Sequence, residues 1–218
     1  MIRKDYILRM IEQLGQVLMR IRGEVNARQF GEAGEDLDQA FRDLIGDGAD
    51  SVSRLTEEEL MARLTLDGPT QMLKEKTLIL VALLQEAGQL QAARGSDAER
   101  QVCLLKALNL LLTLQMQDMD FESPDFVPRI DMLRDQLDDD ALPLRTQAAL
   151  WRYYEHIGAY GRAEDALFAI QEAEPGNDAL LTEAKAFYER LLRQSDESLN
   201  EGNLPRAEVE EALAGLRA

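Results

Sequence analysis

The stretch from Leu142 to Pro175 constrains the fold of this chain most, because it predicts two antiparallel helices joined at Gly158-Ala159. Glycine at position 158 suits the left-handed conformation that ends many helices, and Pro175 cannot continue the second helix. The apolar positions at helical spacing are Leu150, Trp151, Tyr154 and Ile157 in the first helix and Ala163, Ala166, Leu167 and Ile170 in the second. Such a pair cannot bury its apolar face alone, so the rest of the chain must supply further helices to cover it.

Helical periodicity continues along the chain and predicts an all-α fold of about ten helices in antiparallel pairs. Residues 31–34 form a predicted turn, and Gly88 and Gly202 are predicted helix ends. The helices at 70–87 and 96–117 are apolar on nearly every side, so we expect them to be the most buried. Outside Leu142–Pro175, the predicted helices cover residues 5–22, 35–45, 56–64, 70–87, 96–117, 125–137, 178–201 and 204–216.

These helices are expected to form one continuous domain with three segments. Residues 1–66 form an N-terminal helical segment that begins with an amphipathic helix. Residues 67–140 contain the buried central pair and one further helix, and residues 141–218 contain helical repeats. Short polar motifs mark several helix starts, because a side-chain oxygen there can accept a hydrogen bond from a free backbone N–H. They are the capping boxes Thr56–Glu59 and Ser96–Glu99 and the single caps Asn177 or Asp178 and Asp139 or Asp140.

The first predicted helix has a charge opposite to that of the rest of the chain. Residues 1–30 contain six arginines and lysines against three aspartates and glutamates, a net +3, which leaves −20 for the remainder of a chain of total charge −17. Three roles follow for this helix: docking on the chain's own acidic body, pairing with a second copy in a homodimer, or binding an anionic membrane surface. The apolar seam for docking or dimerisation consists of Ile7, Met10, Ile11, Leu14, Val17, Leu18 and Ile21.

The acidic composition argues against nucleic acid as a partner. A charge of −17 on 218 residues repels phosphate backbones. The longest apolar run, Leu78–Leu84, is far shorter than the ~20 residues that a membrane-spanning helix needs. The single cysteine, Cys103, lies in an apolar run and is predicted to be a buried core residue. We therefore expect a cytoplasmic protein with no membrane span.

One corner sequence recurs along the chain. Gly158-Ala-Tyr-Gly-Arg-Ala-Glu reappears as Gly202-Asn-Leu-Pro-Arg-Ala-Glu, with a weaker echo at Gly88-Gln-Leu-Gln-Ala-Ala-Arg. In each copy a glycine ends one helix, and an apolar residue two positions later fills the corner. A small alanine then lets the next helix pack closely.

The residues around the first corner resemble the tetratricopeptide repeat, a helical module of about 34 residues. The matching positions are Leu150, Tyr154, Gly158, Tyr160, Ala163, Leu167 and Pro175. Trp151 and Ile170 depart from the pattern, and the second copy matches only through Gly202, Leu204 and Ala207, with Ser195 as the small residue. The resemblance implies a short right-handed α-solenoid in the C-terminal third. The opening MIRKDYILRMIEQL also resembles a bacterial family of uncharacterised proteins, which implies no activity.

Tetratricopeptide-like domains bind peptides along the concave face made by the first helix of each pair. Carried over by position, the resemblance implies a peptide-binding face whose two arginines could hold an acidic or carboxylate-bearing segment by charge-assisted hydrogen bonds. The alternative is that these arginines pair internally with Asp138–Asp140 or with Glu155. The implied face consists of Arg145, Ala148, Arg152, Glu155 and His156.

No catalytic, cofactor-binding or metal-binding pattern is recognisable in the sequence. His156 is the only histidine, which argues against zinc sites and catalytic triads built on imidazole. We therefore expect a non-enzymatic module that binds a protein or peptide, with the homodimer as an alternative. An enzyme built on carboxylates is a further alternative, and it requires a deep pocket with at least two close carboxyl groups of raised pKa.

Overall fold

The computed structural model describes residues 15–66, 72–138 and 142–216. Twelve helices and no β-strand occur among these residues, which confirms the predicted all-α fold. The chain divides into two compact units, one up to Ala141 and one from Leu142. The helices of the N-terminal unit are α1 (15–26), α2 (Phe30–Ile45), α3 (Ala49–Arg54), α4 (Glu57–Leu66), α5 (Leu73–Arg94), α6 (Asp97–Gln117) and α7 (Ile130–Arg134).

The core of the N-terminal unit is the hairpin of α5 and α6, and the prediction that these helices are buried on nearly every side is confirmed. Every residue from Leu78 to Leu84 is at most 3% exposed. Gly88 does not end α5, as its sequence predicted, because the helix continues to Arg94 and ends at the left-handed Gly95. Gly88 instead permits a close approach of the two helices, since a Cβ there would lie 3.0 Å from Leu104 Cδ2. The helix end that the third copy of the corner sequence predicted at Gly88 is therefore wrong.

The shorter helices depart from their predicted boundaries. The turn expected at residues 31–34 is wrong, because α2 already begins at Phe30, after a turn at Arg28 with φ +60°. Helix α3 was missed, since its six residues are too few to show a period. The helix expected at 125–137 is reduced to α7, Ile130–Arg134.

Helix α1 packs on the acidic body of its own unit. Leu18 and Ile21 are buried, and Val17 is half-buried. Arg22 Nη2 lies 2.6 Å from Glu86 Oε1, on a carboxylate only 4% exposed, and Arg20 pairs with Asp36. The other residues of the predicted seam lie outside the described residues; they are Ile7, Met10, Ile11 and Leu14.

The predicted helix caps have mixed outcomes. The box at Thr56 and Glu59 is confirmed, because each backbone N–H donates to the other side chain, at 2.8 and 3.2 Å. Asn177 is also confirmed as a cap, since its Oδ1 accepts from Leu180 N at 3.1 Å. Ser96 precedes α6 as predicted, but its side chain makes no cap hydrogen bond. The predicted caps Asp139 and Asp140 lie outside the described residues.

The C-terminal unit begins with the helical pair that was predicted at Leu142–Pro175. Its helices are α8 (Leu144–His156), α9 (Tyr160–Ala173), α10 (Asp178–Leu191), α11 (Asp196–Glu201) and α12 (Arg206–Gly215). Gly158 is left-handed, with φ +78°, and ends α8 as predicted. The single long helix expected at 178–201 is wrong, because Ser195 caps a new helix by accepting from Ser198 N. Trp151 and Phe187 connect α8 to α10 by an edge-to-face contact of 5.7 Å.

The second copy of the corner sequence closes differently from the first. Its left-handed residue is Asn203, with φ +57°, whereas Gly202 has an ordinary φ of −76°. Leu204 is buried and fills the corner as predicted, but Ala207 is exposed, so the close helix packing expected there is wrong. Position 202 requires glycine because its neighbours leave no space for a Cβ atom, and not because of its backbone conformation.

Candidate binding pocket

A pocket of about 470 Å³ lies between the carboxyl-terminal ends of α8 and α10. The last turns of α8 and α10 meet at this place, where Glu155 pairs with Arg190. The pocket is lined by Arg152, Glu155 and His156 of α8, Tyr160 of α9, Arg190 and Leu191 of α10, and Arg193 and Gln194 beyond it. We call it the arginine pocket.

One carboxylate and one guanidinium of the arginine pocket neutralise each other. Arg190 donates from Nε and Nη2 to the two carboxylate oxygens of Glu155, at 2.6 and 2.8 Å. This two-pronged geometry is the strongest arrangement for the two groups. The hydrogen bonds from Arg190 to Glu155 raise the pKa of the arginine.

Two further arginines line the same pocket without such a partner. Arg152 and Arg193 are exposed, and neither side chain makes an ion pair or a hydrogen bond with any residue that the structure describes. Residues 142–218 contain eight arginines and lysines against 14 aspartates and glutamates, a net charge of −6. Arg152 and Arg193 therefore give this pocket a local positive charge in a unit whose net charge is negative.

The structure brings together three of the five residues of the implied peptide-binding face. Arg152, Glu155 and His156 line the arginine pocket. Arg145 and Ala148 lie on the preceding turns of α8 and do not line it. Glu155 pairs with Arg190, and no hydrogen bond or ion pair joins it to Arg152 in the described structure. Of the other expected partners, Asp139 and Asp140 lie outside the described residues.

Sequence reasoning missed Arg190 and Arg193. They lie about 40 positions after Arg152, on a helix that was predicted to run on to residue 201. A signal was available, since two arginines three positions apart lie on one side of a helix end. Only the packing of α10 beside α8 shows which surface they share.

A second pocket of the unit, of about 420 Å³, is acidic. Its charged lining residues are Arg162, Glu164, Asp165, Glu201 and Glu208. Burial raises the pKa of Glu164, and the nearby charges of Asp165 and Glu208 raise it further, against the hydrogen bond that Glu164 accepts from Tyr188. That hydrogen bond, at 2.8 Å, joins the carboxylate of Glu164 on α9 to Tyr188 on α10.

Other potential sites are inert in the described part of the chain. Cys103 is buried, as predicted, and its burial raises the pKa of the thiol to about 11, so the reactive thiolate is scarce at neutral pH. Among residues 15–66, 72–138 and 142–216, no group of three or more histidine, cysteine, aspartate or glutamate side chains is arranged to hold a metal ion. No helix within those ranges combines the length and the apolar character that crossing a membrane requires.

Comparison with known proteins gives one match. The family model described as "Family of unknown function (DUF6483)" matches residues 1–218, and this confirms the expectation of a family without a known function. No curated protein and no solved structure matches the chain. None of these comparisons confirms the resemblance to the tetratricopeptide repeat.

Proposed function

We propose that this chain, which belongs to the DUF6483 family, is a non-enzymatic interaction module that binds an acidic or carboxylate-bearing protein segment at its arginine pocket. The observation that carries the proposal is the pair of guanidinium groups, Arg152 and Arg193, that line one pocket and have no ion-pair or hydrogen-bond partner among the residues that the structure describes. The pairing of α8 with α9, followed by α10, supports a tetratricopeptide-like scaffold as part of this proposal.

The electrostatics of the pocket favour an anionic ligand. Three arginines and one glutamate are among its described lining residues, and the charges of these four side chains sum to +2. Like charges gathered at one site repel each other, and an anion that binds between them removes that repulsion and adds charge-assisted hydrogen bonds. The negative charge of the rest of the unit repels acidic segments from other surfaces and so restricts their binding to this pocket.

Arginines near a helix carboxyl terminus also have a structural effect. They interact favourably with the negative end of the helix dipole, which contributes ~0.3–1 kcal/mol at exposed positions. Arg190 is in the last turn of α10, and Arg193 follows that turn. A purely structural role predicts a loss of stability on substitution, whereas the proposed role predicts a loss of binding, so the two are measured separately.

The test uses fluorescence anisotropy with two peptide libraries and the full-length chain. The central-glutamate library consists of short fluorescein-labelled peptides, amidated at the carboxyl terminus, with glutamate fixed at the centre among random uncharged residues. The central-glutamine library is its neutral counterpart. We expect the wild type to bind the central-glutamate library at least about tenfold more tightly, which corresponds to about 1.4 kcal/mol.

Charge-reversal variants locate the binding. Arg152→Glu and Arg193→Glu are expected to abolish the preference for the central-glutamate library. The matched control is Arg129→Glu, which makes the same change of charge in the N-terminal unit at an exposed arginine before α7. Equal binding of the two libraries by the wild type, or equal loss in the control, contradicts the proposal.

The two alternative functions lack a specific supporting observation. Leu18 and Ile21 of the predicted dimer seam are already buried within the chain. The carboxylate of Glu164 in the acidic pocket is engaged by Tyr188. Neither a homodimer nor a carboxylate enzyme is therefore proposed.

A further inference from the structure

Building on the proposed function, we infer that the preferred ligand of the arginine pocket is a phosphorylated serine or threonine in a peptide segment. Phosphoserine and phosphothreonine both carry a phosphate monoester, which has a charge of about −1.5 to −2 at neutral pH and three acceptor oxygens. The inference rests on how many guanidinium groups the pocket presents and on how one of them is already used.

The pocket itself shows what one carboxylate requires. The two oxygens of Glu155 are both satisfied by one guanidinium, that of Arg190. A ligand carboxylate has only two oxygens to share between the forks of Arg152 and Arg193, so donors of these guanidinium groups remain unused. The two arginines therefore offer more donors than a carboxylate can take.

A phosphate monoester matches this surplus in charge and in geometry. Arg152 projects from α8 and Arg193 follows α10, so the two forks come from different elements around one pocket. Two forks can together engage three phosphate oxygens, and clusters of arginines are the recurring means of recognising phosphorylated segments. The net charge of +2 at the pocket equals the charge of the dianion that it would neutralise.

The size of the pocket also suits a side chain with a terminal phosphate. Its volume of about 470 Å³ lies within the range of ~300–1,000 Å³ that small-ligand sites occupy. His156 and Tyr160 line it together with the arginines, so a histidine and an aromatic residue border the charged groups.

The experiment adds a third library and a competitor to the anisotropy measurement. The central-phosphoserine library differs from the central-glutamate library only at the fixed position, and inorganic phosphate is the competitor. The full-length wild type is expected to bind the central-phosphoserine library at least about tenfold more tightly than the central-glutamate library, because additional charge-assisted hydrogen bonds form.

Two conservative variants test the role of the guanidinium forks. Arg152→Lys and Arg193→Lys keep the charge but lose the planar fork, so each is expected to reduce the preference for phosphoserine over glutamate several-fold. The control Arg129→Lys is expected to retain it. Lysine variants that bind like the wild type would show that net charge alone acts, which overturns the inference.

The outcomes separate this inference from the proposed function. Equal affinity for phosphoserine and glutamate overturns the inference and leaves the proposed function standing. If inorganic phosphate displaces the peptide at a concentration near the dissociation constant of the peptide, phosphate alone accounts for the binding. That result overturns the inference that the ligand is a phosphorylated peptide segment. Failure of every library to bind overturns the proposed function as well.

Discussion

The hydrogen bond between Tyr188 and Glu164 illustrates how single residues hold the C-terminal unit together. Tyr188 is 1% exposed, and its hydroxyl donates to Glu164 Oε1 across 2.8 Å from α10 to α9. Burial raises the pKa of Tyr188, and the neighbouring carboxylate raises it further. The phenol therefore stays protonated in the folded state under conditions in which an unfolded tyrosine ionises.

Tyr188→Phe is expected to lower the free energy of unfolding by ~1.5–3 kcal/mol at pH 7, the usual contribution of a hydrogen bond to a charged group. Because the pKa of Tyr188 is higher in the folded state than in the unfolded state, its contribution to stability is complete below the unfolded pKa of ~10. Above that pH the unfolded tyrosine ionises, and the contribution falls by ~1.4 kcal/mol per pH unit until the pH has passed the folded pKa. The wild type should therefore lose ~1.4 kcal/mol of its advantage over the variant by pH 11. Urea unfolding of both proteins at pH 8 and 11 measures this, and a constant difference would contradict the account.

Glu155 is the residue that limits the charge of the arginine pocket. It is the single carboxylate among the described lining residues, and Glu155→Gln would leave Arg190 free to bind a ligand. We expect this variant to bind the central-glutamate library ~3–10-fold more tightly, because removal of a like charge strengthens the attraction. The matched control is Glu172→Gln, at an exposed glutamate on α9. Weaker binding by Glu155→Gln would show that Glu155 instead positions Arg190.

At the scale of elements, helix junctions depend on specific close contacts. Gly161 N donates to Gly202 O at 2.9 Å, which joins the start of α9 to the end of α11. A Cβ at position 202 would overlap the carbonyl oxygen of Gly158 and the ring of Tyr160. Only a residue without a side chain permits this contact between the two corners.

Gly202→Ala is therefore expected to destabilise the protein by ~1–3 kcal/mol, the usual cost of overpacking. Gly215→Ala provides the control, because position 215 lies in α12 with no atom within 4 Å of the added Cβ. That control should leave the stability unchanged or raise it by at most ~0.5–1 kcal/mol, since alanine is the better helix former and Gly215 is the last residue of α12. Thermal unfolding of both variants gives the comparison, and a change of the same sign in the two would contradict the packing explanation.

Helix α3 depends on a buried lysine of α6. Lys106 Nζ donates to the carbonyl oxygens of Val52, Ser53 and Leu55, at 3.1, 2.7 and 2.5 Å. These carbonyls lie at the end of a helix of only six residues, where no further turn can satisfy them. Burial lowers the pKa of Lys106, so the hydrogen bonds must offset the desolvation of its charge.

Lys106→Met should lower the free energy of unfolding by ~1.5–3 kcal/mol, because it leaves buried carbonyls without a donor. Lys185→Met is the control, since Lys185 is half-buried on α10 and makes no side-chain hydrogen bond or ion pair with the described residues. Denaturant unfolding monitored by circular dichroism measures both variants. Equal effects of the two substitutions would mean that the end of α3 has no need of Lys106.

At the scale of the whole molecule, the sequence predicted those features that depend on local patterns. The all-α fold, the buried α5–α6 hairpin and the left-handed Gly158 each follow from periodicity or from the preference of one residue type. The predictions for Gly88 and Gly202 were wrong because a glycine can be needed either for a left-handed backbone or for close packing. Only the neighbouring residues in the structure show which of the two applies. The spacing of Arg190 and Arg193 placed them on one side of a helix end, but their place at the arginine pocket depends on the packing of α10 beside α8, which no local pattern shows.

The charge distribution of the molecule gives the arginine pocket its significance. A chain of net charge −17 positions Arg152, Arg190 and Arg193 at one pocket, and within the described ranges Arg190 alone of the three is paired with a carboxylate. The most direct measurement is nuclear magnetic resonance of the arginine Nε–Hε groups during titration with the central-glutamate library. Resonances of Arg152 and Arg193 should shift with a common dissociation constant while that of Arg129 stays in place. Unchanged resonances at the pocket, or equal shifts at Arg129, would contradict the account.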